Sequence, residues 1–261
     1  MVKKLISSLI NQTGWRLLAK TLGASIVFGL LILAGFSFWP ILLFFVFMGV
    51  VYFSELPDRR LFRASYWLVS VGSVLGASAV LSFPGFSLKG LIGVLLVLIF
   101  GGFIFLLLGL VNLLFKNRSI AYGLLNIALI ACFSILIFYR WPGFSAGFVL
   151  PDILWFLAVF SGTTLLVREF LVFEGVAAGW TLRMISWSMG FLACQIAALS
   201  LLLPLGFINA AAFLTLFLII GRDAILASLK GFLGLTLVLR ELTIFAVVLS
   251  LIFATVTWIL P

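Results

Sequence analysis

Any chemistry in this chain has to be done without histidine: the ionisable inventory is seven Asp and Glu, sixteen Lys and Arg, two Cys and four Tyr. With no imidazole there is no Ser-His or Cys-His pair and no histidine metal ligand. A His-Glu-x-x-His metalloprotease helix is excluded on the same ground. The chain also lacks a Walker A loop and an Asp-rich diphosphate motif. The sequence therefore assigns no catalytic residue, no metal site and no cofactor.

What remains falls into three sets. Arg59, Arg60, Arg63, Arg168 and Arg222 stand near acids at the borders of apolar runs, in Arg168-Glu169, Arg222-Asp223 and Arg240-Glu241 among others. Such a rim suits an anionic lipid headgroup or a phosphorylated ligand, or else it only orients the chain. Arg140 and Asp152 lie either side of a proline turn and can pair across it. Asp152 follows Pro151 at a helix start, where a carboxylate meets the positive end of the dipole, and a headgroup contact is the functional alternative. The third set is uncharged: Asn126, Thr163, Gln195 and Asn209 inside apolar runs. If they converge they line a path for a neutral or amphipathic solute. If they do not, each ties two helices together, at about 0.6–2 kcal/mol.

The elements that must position these residues follow from composition. The chain is 65% hydrophobic and 9% charged, with a mean hydropathy of +1.40, against about 45–50% and about 25% for soluble domains. It is read as an integral membrane bundle, all-α and polytopic, with membrane lipids as its surroundings. Cys132 and Cys194 both fall inside apolar runs, which excludes a disulfide scaffold and makes them small buried packing residues. The formal charge of +9 does not indicate nucleic acid, because the basic residues come in short groups between apolar runs and form no patch.

About 20 apolar residues span the hydrocarbon. Spans are expected near 21–37, 39–53, 66–83, 91–114, 120–139, 150–167, 184–203, 206–220 and 242–260, nine in all, with the second and eighth short. Residues 1–20 read as an interfacial amphipathic helix, with Leu5, Ile6, Leu9 and Ile10 beside Lys3 and Lys4. The stretch 223–239 is apolar but broken by Lys230, Gly231 and Gly234. As a span it would bury Lys230 at a cost of about 2.5–3.5 kcal/mol, so it reads as interfacial or re-entrant. On this division no span centre carries a charge.

Charge placement orients the bundle. With the N-terminus cytoplasmic, the inner segments hold Lys3, Lys4, Arg16, Lys20, Arg59, Arg60, Arg63, Lys116, Arg118, Arg168, Arg183, Arg222, Lys230 and Arg240. Only Lys89 and Arg140 fall outside, as the positive-inside bias requires. The C-terminus then lies on the outer side of a plasma (inner) membrane. Outer turns share proline with aromatics, and Pro-Gly-Phe-Ser occurs at both 84–87 and 142–145, as tight hairpin turns favour.

Small residues mark close helix contacts in lipid. Two seams are expected, Gly72-Gly76-Val80 with Ser73 and Ala77, and Ser186-Gly190-Cys194-Ala198 with Ala193 and Ala197. Phe44, Phe45, Phe47, Phe103 and Phe105 are read as facing lipid. The functional expectation is a non-enzymatic scaffold, assembly factor or subunit with partner membrane subunits. A permease or flippase for a lipidic or neutral molecule is the alternative. An enzyme acting on a lipid-linked substrate through Glu55 or Asp58 with Arg59, Arg60 and Arg63 is the third reading.

Overall fold

Long apolar runs without water to satisfy their backbone leave the helix as the open solution, and the computed structural model of the chain is built accordingly. It describes residues 12–55, 63–82, 89–111, 117–140, 150–176, 179–203, 205–232 and 234–254. These form nine helices: α1 Gln12–Leu33, α2 Phe38–Glu55, α3 Arg63–Leu81, α4 Lys89–Val111, α5 Arg118–Arg140, α6 Leu150–Phe173, α7 Trp180–Leu202, α8 Phe207–Leu229 and α9 Leu235–Ala254. Seven of them are long and apolar enough to cross a membrane. The protein is an all-helical, multi-pass integral membrane bundle.

The chain divides into two compact units, residues 1–125 and 126–261. In the first, α1 packs on α2 and α4, and α3 packs on α4. Its centre is aromatic: the rings of Phe28, Phe44 and Phe100 lie 4.5–5.7 Å apart, tilted as ring quadrupoles prefer. Phe44 is fully buried there, which corrects its reading as a lipid-facing residue. A second aromatic group joins Tyr52, Tyr66 and Trp67, and the buried Tyr66 hydroxyl donates to the Met48 carbonyl at 2.9 Å. Gly101 lets α4 approach α1 closely, since a Cβ there would sit 2.5 Å from Ser25 Oγ. The expected α3 seam is displaced: Ala77 is buried, but Val80 is exposed and the buried face runs through Tyr66, Val69, Ser70 and Val74.

In the second unit α6 packs on α7, α7 on α8 and α8 on α9. The seam expected on α7 is present. Ser186, Gly190, Ala193 and Ala197 are buried, and a Cβ on Gly190 would collide with Thr164 Oγ1 and the Phe160 carbonyl of α6. Beside it the Cys194 thiol donates to the Phe156 carbonyl at 3.5 Å. Cys132, by contrast, is exposed on α5 and is not a buried packing residue. Gly162 of α6 lies directly under the Phe133 ring, and the Trp155 indole donates to the Ile137 carbonyl at 3.4 Å.

The largest departure from expectation is in 206–239. One unbroken helix, α8, covers Phe207–Leu229, so the short eighth span is full length and 223–239 is not a separate interfacial or re-entrant segment. Lys230 caps the C-terminus of α8 instead of lying mid-span. The helix stops because Gly231 takes φ +73 and the amides of Gly231 and Phe232 turn back onto Ser228 and Ala227, a Schellman closure that favours glycine. The same device ends α6, with Gly175 at φ +87 and Val176 bonded back to Leu171. The Lys230 ammonium bonds the Glu174 carboxylate at 2.7 Å, tying the ends of α6 and α8. Elsewhere the helices outrun the expected spans by a few residues: α1 is continuous from Gln12, and α6 runs on to Phe173. The chain before Gln12 lies outside the described residues.

Candidate functional site

Because α8 continues to Leu229, Arg222 and Asp223 fall within an apolar helix long enough to cross a membrane. Arg222 lies seven residues, about 10 Å, short of the helix end. Arg168 and Glu169 likewise fall inside α6. The expectation that Arg168-Glu169 and Arg222-Asp223 stand at the borders of spans is therefore corrected. A charge at such depth is costly unless paired, and is the usual mark of a functional position.

Arg222 is 3% exposed, and its surroundings account for its charge. Nε and Nη2 both donate to Asp223 Oδ1, each at 2.8 Å. Nη1 donates to Asn126 Oδ1 of α5 at 2.8 Å. The guanidinium carbon stands 4.1 Å from the ring centroid of Phe170 of α6, inside cation–π range. Asn126 is itself fully buried and its amide donates to the Leu166 carbonyl of α6 at 3.4 Å. One side chain thus binds α5, α6 and α8 together. The planar fork of Arg permits this, since it presents several donors in one plane while its face stacks on a ring.

The cluster consumes its own polar capacity. Asp223 neutralises the guanidinium, Asn126 uses both its oxygen and its nitrogen, and Phe170 covers one face. Asp223 keeps its side chain 41% exposed, so its remaining oxygen is the accessible part. The one group among these partners with base chemistry is the Asp223 carboxylate, and its Oδ1 is committed to the guanidinium. Chemically the arrangement is a brace.

The sequence singled out Arg222 and Asn126 separately, one as a headgroup contact and one as a cavity lining, and the structure joins them. The other candidates are scattered. Thr163 is fully buried on α6, and its hydroxyl has no hydrogen-bond partner among the described residues. Gln195 is exposed on α7 and Asn209 half-buried in the first turn of α8. With Gln195 facing outward, Asn126, Thr163, Gln195 and Asn209 do not share one cavity. Asp152 is fully buried in the first turn of α6, and Arg168 is exposed. Arg59 and Arg60 lie outside the described residues, as do the side chains of Arg63 and Arg140 at their helix ends. The expected Arg140–Asp152 pair and the rim of Arg59, Arg60 and Arg63 fall there too.

Two features were missed from sequence. Phe170 as the ring beneath the guanidinium carries no motif. The continuation of α8 did have a signal, since Lys230-Gly231 is a basic residue followed by a C-terminal glycine.

A second feature lies between α8 and α9, a cavity of about 300 Å³. Its walls are Phe217, Ile220 and Ala224 of α8 with Leu242 and Phe245 of α9, and Glu241 is the charged residue among them. No protein-family model, curated protein or solved structure matches this chain.

Proposed function

We propose that this protein is a non-enzymatic membrane component, a scaffold, assembly factor or subunit of a larger complex. One observation carries the reading. The buried pair Arg222 and Asn126 is spent on each other and on α6, and Asn126, Thr163, Gln195 and Asn209 are not aimed at a common path. Gln195, facing outward from the middle of α7, is the kind of group a neighbouring transmembrane helix satisfies. The test is purification of the tagged full chain from its own membranes in mild detergent. A defined complex, with one or more stoichiometric partners, is expected. A lone monomer with nothing co-purifying refutes the reading.

We place the protein in the plasma (inner) membrane with its N-terminus cytoplasmic and its C-terminus outside. The distribution of basic residues supports this. The Lys230–Glu174 bond brings the α6–α7 and α8–α9 turns to the same end of their unit, as an alternating path requires, and the basic residues choose the face that end takes. Cysteines placed at Gly175 and Gly231 should both resist an impermeant maleimide in intact cells and react in inverted vesicles. Labelling of either from outside would reverse the orientation.

The apolar cavity of α8 and α9 favours a second reading, a permease or flippase for a lipidic molecule. Reconstituted protein that moves a labelled phospholipid between leaflets would support it over the first.

A further inference from the structure

The α8–α9 cavity is apolar except for one residue, and that residue is not an isolated charge. Glu241 is 13% exposed at its side chain while its neighbour Arg240 is 66% exposed. Arg240 donates to Glu241 from Nε at 3.1 Å and from Nη2 at 2.6 Å, in both cases to Oε1. Oε2 accepts neither bond. The carboxylate thus belongs to the cavity wall and the guanidinium to the outside, one positive and one negative group side by side. Both lie about 8–9 Å along α9 from its first residue, Leu235, at the end of the unit where the Lys230–Glu174 bond also lies.

Amphipathic ligands of a membrane bring a chain and a head, and this head site has two signs. An anionic headgroup finds the guanidinium already neutralised and a carboxylate beside it. A quaternary ammonium satisfies charge but donates no hydrogen bond to Oε2. A primary ammonium next to a phosphodiester matches both groups, since charge-assisted hydrogen bonds are the strong ones. We propose that the α8–α9 cavity is a binding site for a phospholipid with a primary-amine zwitterionic headgroup. One acyl chain lies against Phe217, Ala224, Leu242 and Phe245, the ammonium on Glu241 and the phosphodiester on Arg240. The volume suits this, because ligand sites begin at about 300 Å³ and the remaining chain stays in the bilayer. The site is independent of whether the protein serves as a subunit or a permease.

Native mass spectrometry of the detergent-purified full chain, titrated with dioleoyl phosphatidylethanolamine, phosphatidylcholine and phosphatidylglycerol, tests it. The ethanolamine lipid should bind about tenfold more tightly than either other, equivalent to about 1.4 kcal/mol. Glu241→Gln should abolish its advantage over the choline lipid. Arg240→Gln should weaken both zwitterionic lipids alike, and Ala224→Phe, which fills the cavity, should remove all three. Equal affinities for the three lipids, tighter phosphatidylglycerol binding, or a preference that survives Glu241→Gln would overturn the proposal. So would a dimer that forms through this face and excludes lipid. If Ala224→Phe does not fold, Glu241→Gln, which adds no volume, decides the matter alone.

Discussion

Replacing Asn126 with leucine is the sharpest test of the Arg222 brace. The substitution keeps the branched outline of Asn with larger terminal groups and removes two bonds, one from Arg222 Nη1 at 2.8 Å and one to the Leu166 carbonyl at 3.4 Å. Loss of a hydrogen bond to a buried charged group costs about 1.5–3 kcal/mol. The longer bond adds about 0.6 kcal/mol, the average for polar contacts between transmembrane helices. The expected loss is therefore about 2–3.5 kcal/mol. Arg222→Met alone removes the charge and the stacking on Phe170 but frees Asn126, so it should also destabilise. The double variant should be less unstable than the two losses added, with a coupling of about 1–3 kcal/mol, because the second change removes a partner already stranded by the first. The assay is reversible unfolding in mixed micelles with increasing denaturing detergent, followed by tryptophan fluorescence. A loss below about 0.5 kcal/mol for Asn126→Leu, or strict additivity in the cycle, would refute the brace.

Three further outcomes follow from the packing. Gly190→Leu should break the α6–α7 contact, since a Cβ alone already collides with Thr164 and Phe160; a loss of about 1–3 kcal/mol or more is expected in the same assay. Gly102→Leu, where nothing lies within 4 Å, should leave the unfolding midpoint nearly unchanged and serves as the control. Lys230→Met should lower stability by no more than about 1 kcal/mol, because the bond to Glu174 is partly exposed, and the difference should shrink in high salt.

The helical class and the hairpin succession were legible because each rests on hydropathy over windows of about 20 residues, where single errors average out. The α7 seam was legible for a local reason: small residues at spacing four can face only a close neighbour. The end of α8 was misplaced because charge was taken as a boundary at Arg222-Asp223. Asn126 and Phe170, distant in sequence, supply the partners that let the helix run on through the charge, and no local pattern announces them. Phe44 illustrates the same limit from the apolar side. In a bilayer, the core and the lipid face are equally greasy, so hydropathy cannot say which phenylalanine turns inward. Gln195 failed in the opposite direction, as a polar residue on a span that the fold turns outward.

The meeting of Phe28, Phe44 and Phe100 has a consequence for how the protein is made. Phe100 follows Phe28 by about 70 residues, which takes about 4–14 s of synthesis at about 5–20 residues per second. For that interval α1 and α2 are in the membrane as a hairpin without α4, and the face of α1 that carries Ala24, Ser25 and Phe28 is open to lipid or to the insertion machinery. The first unit therefore cannot mature helix by helix in order of emergence. Its first helix must wait, held in place, for its fourth.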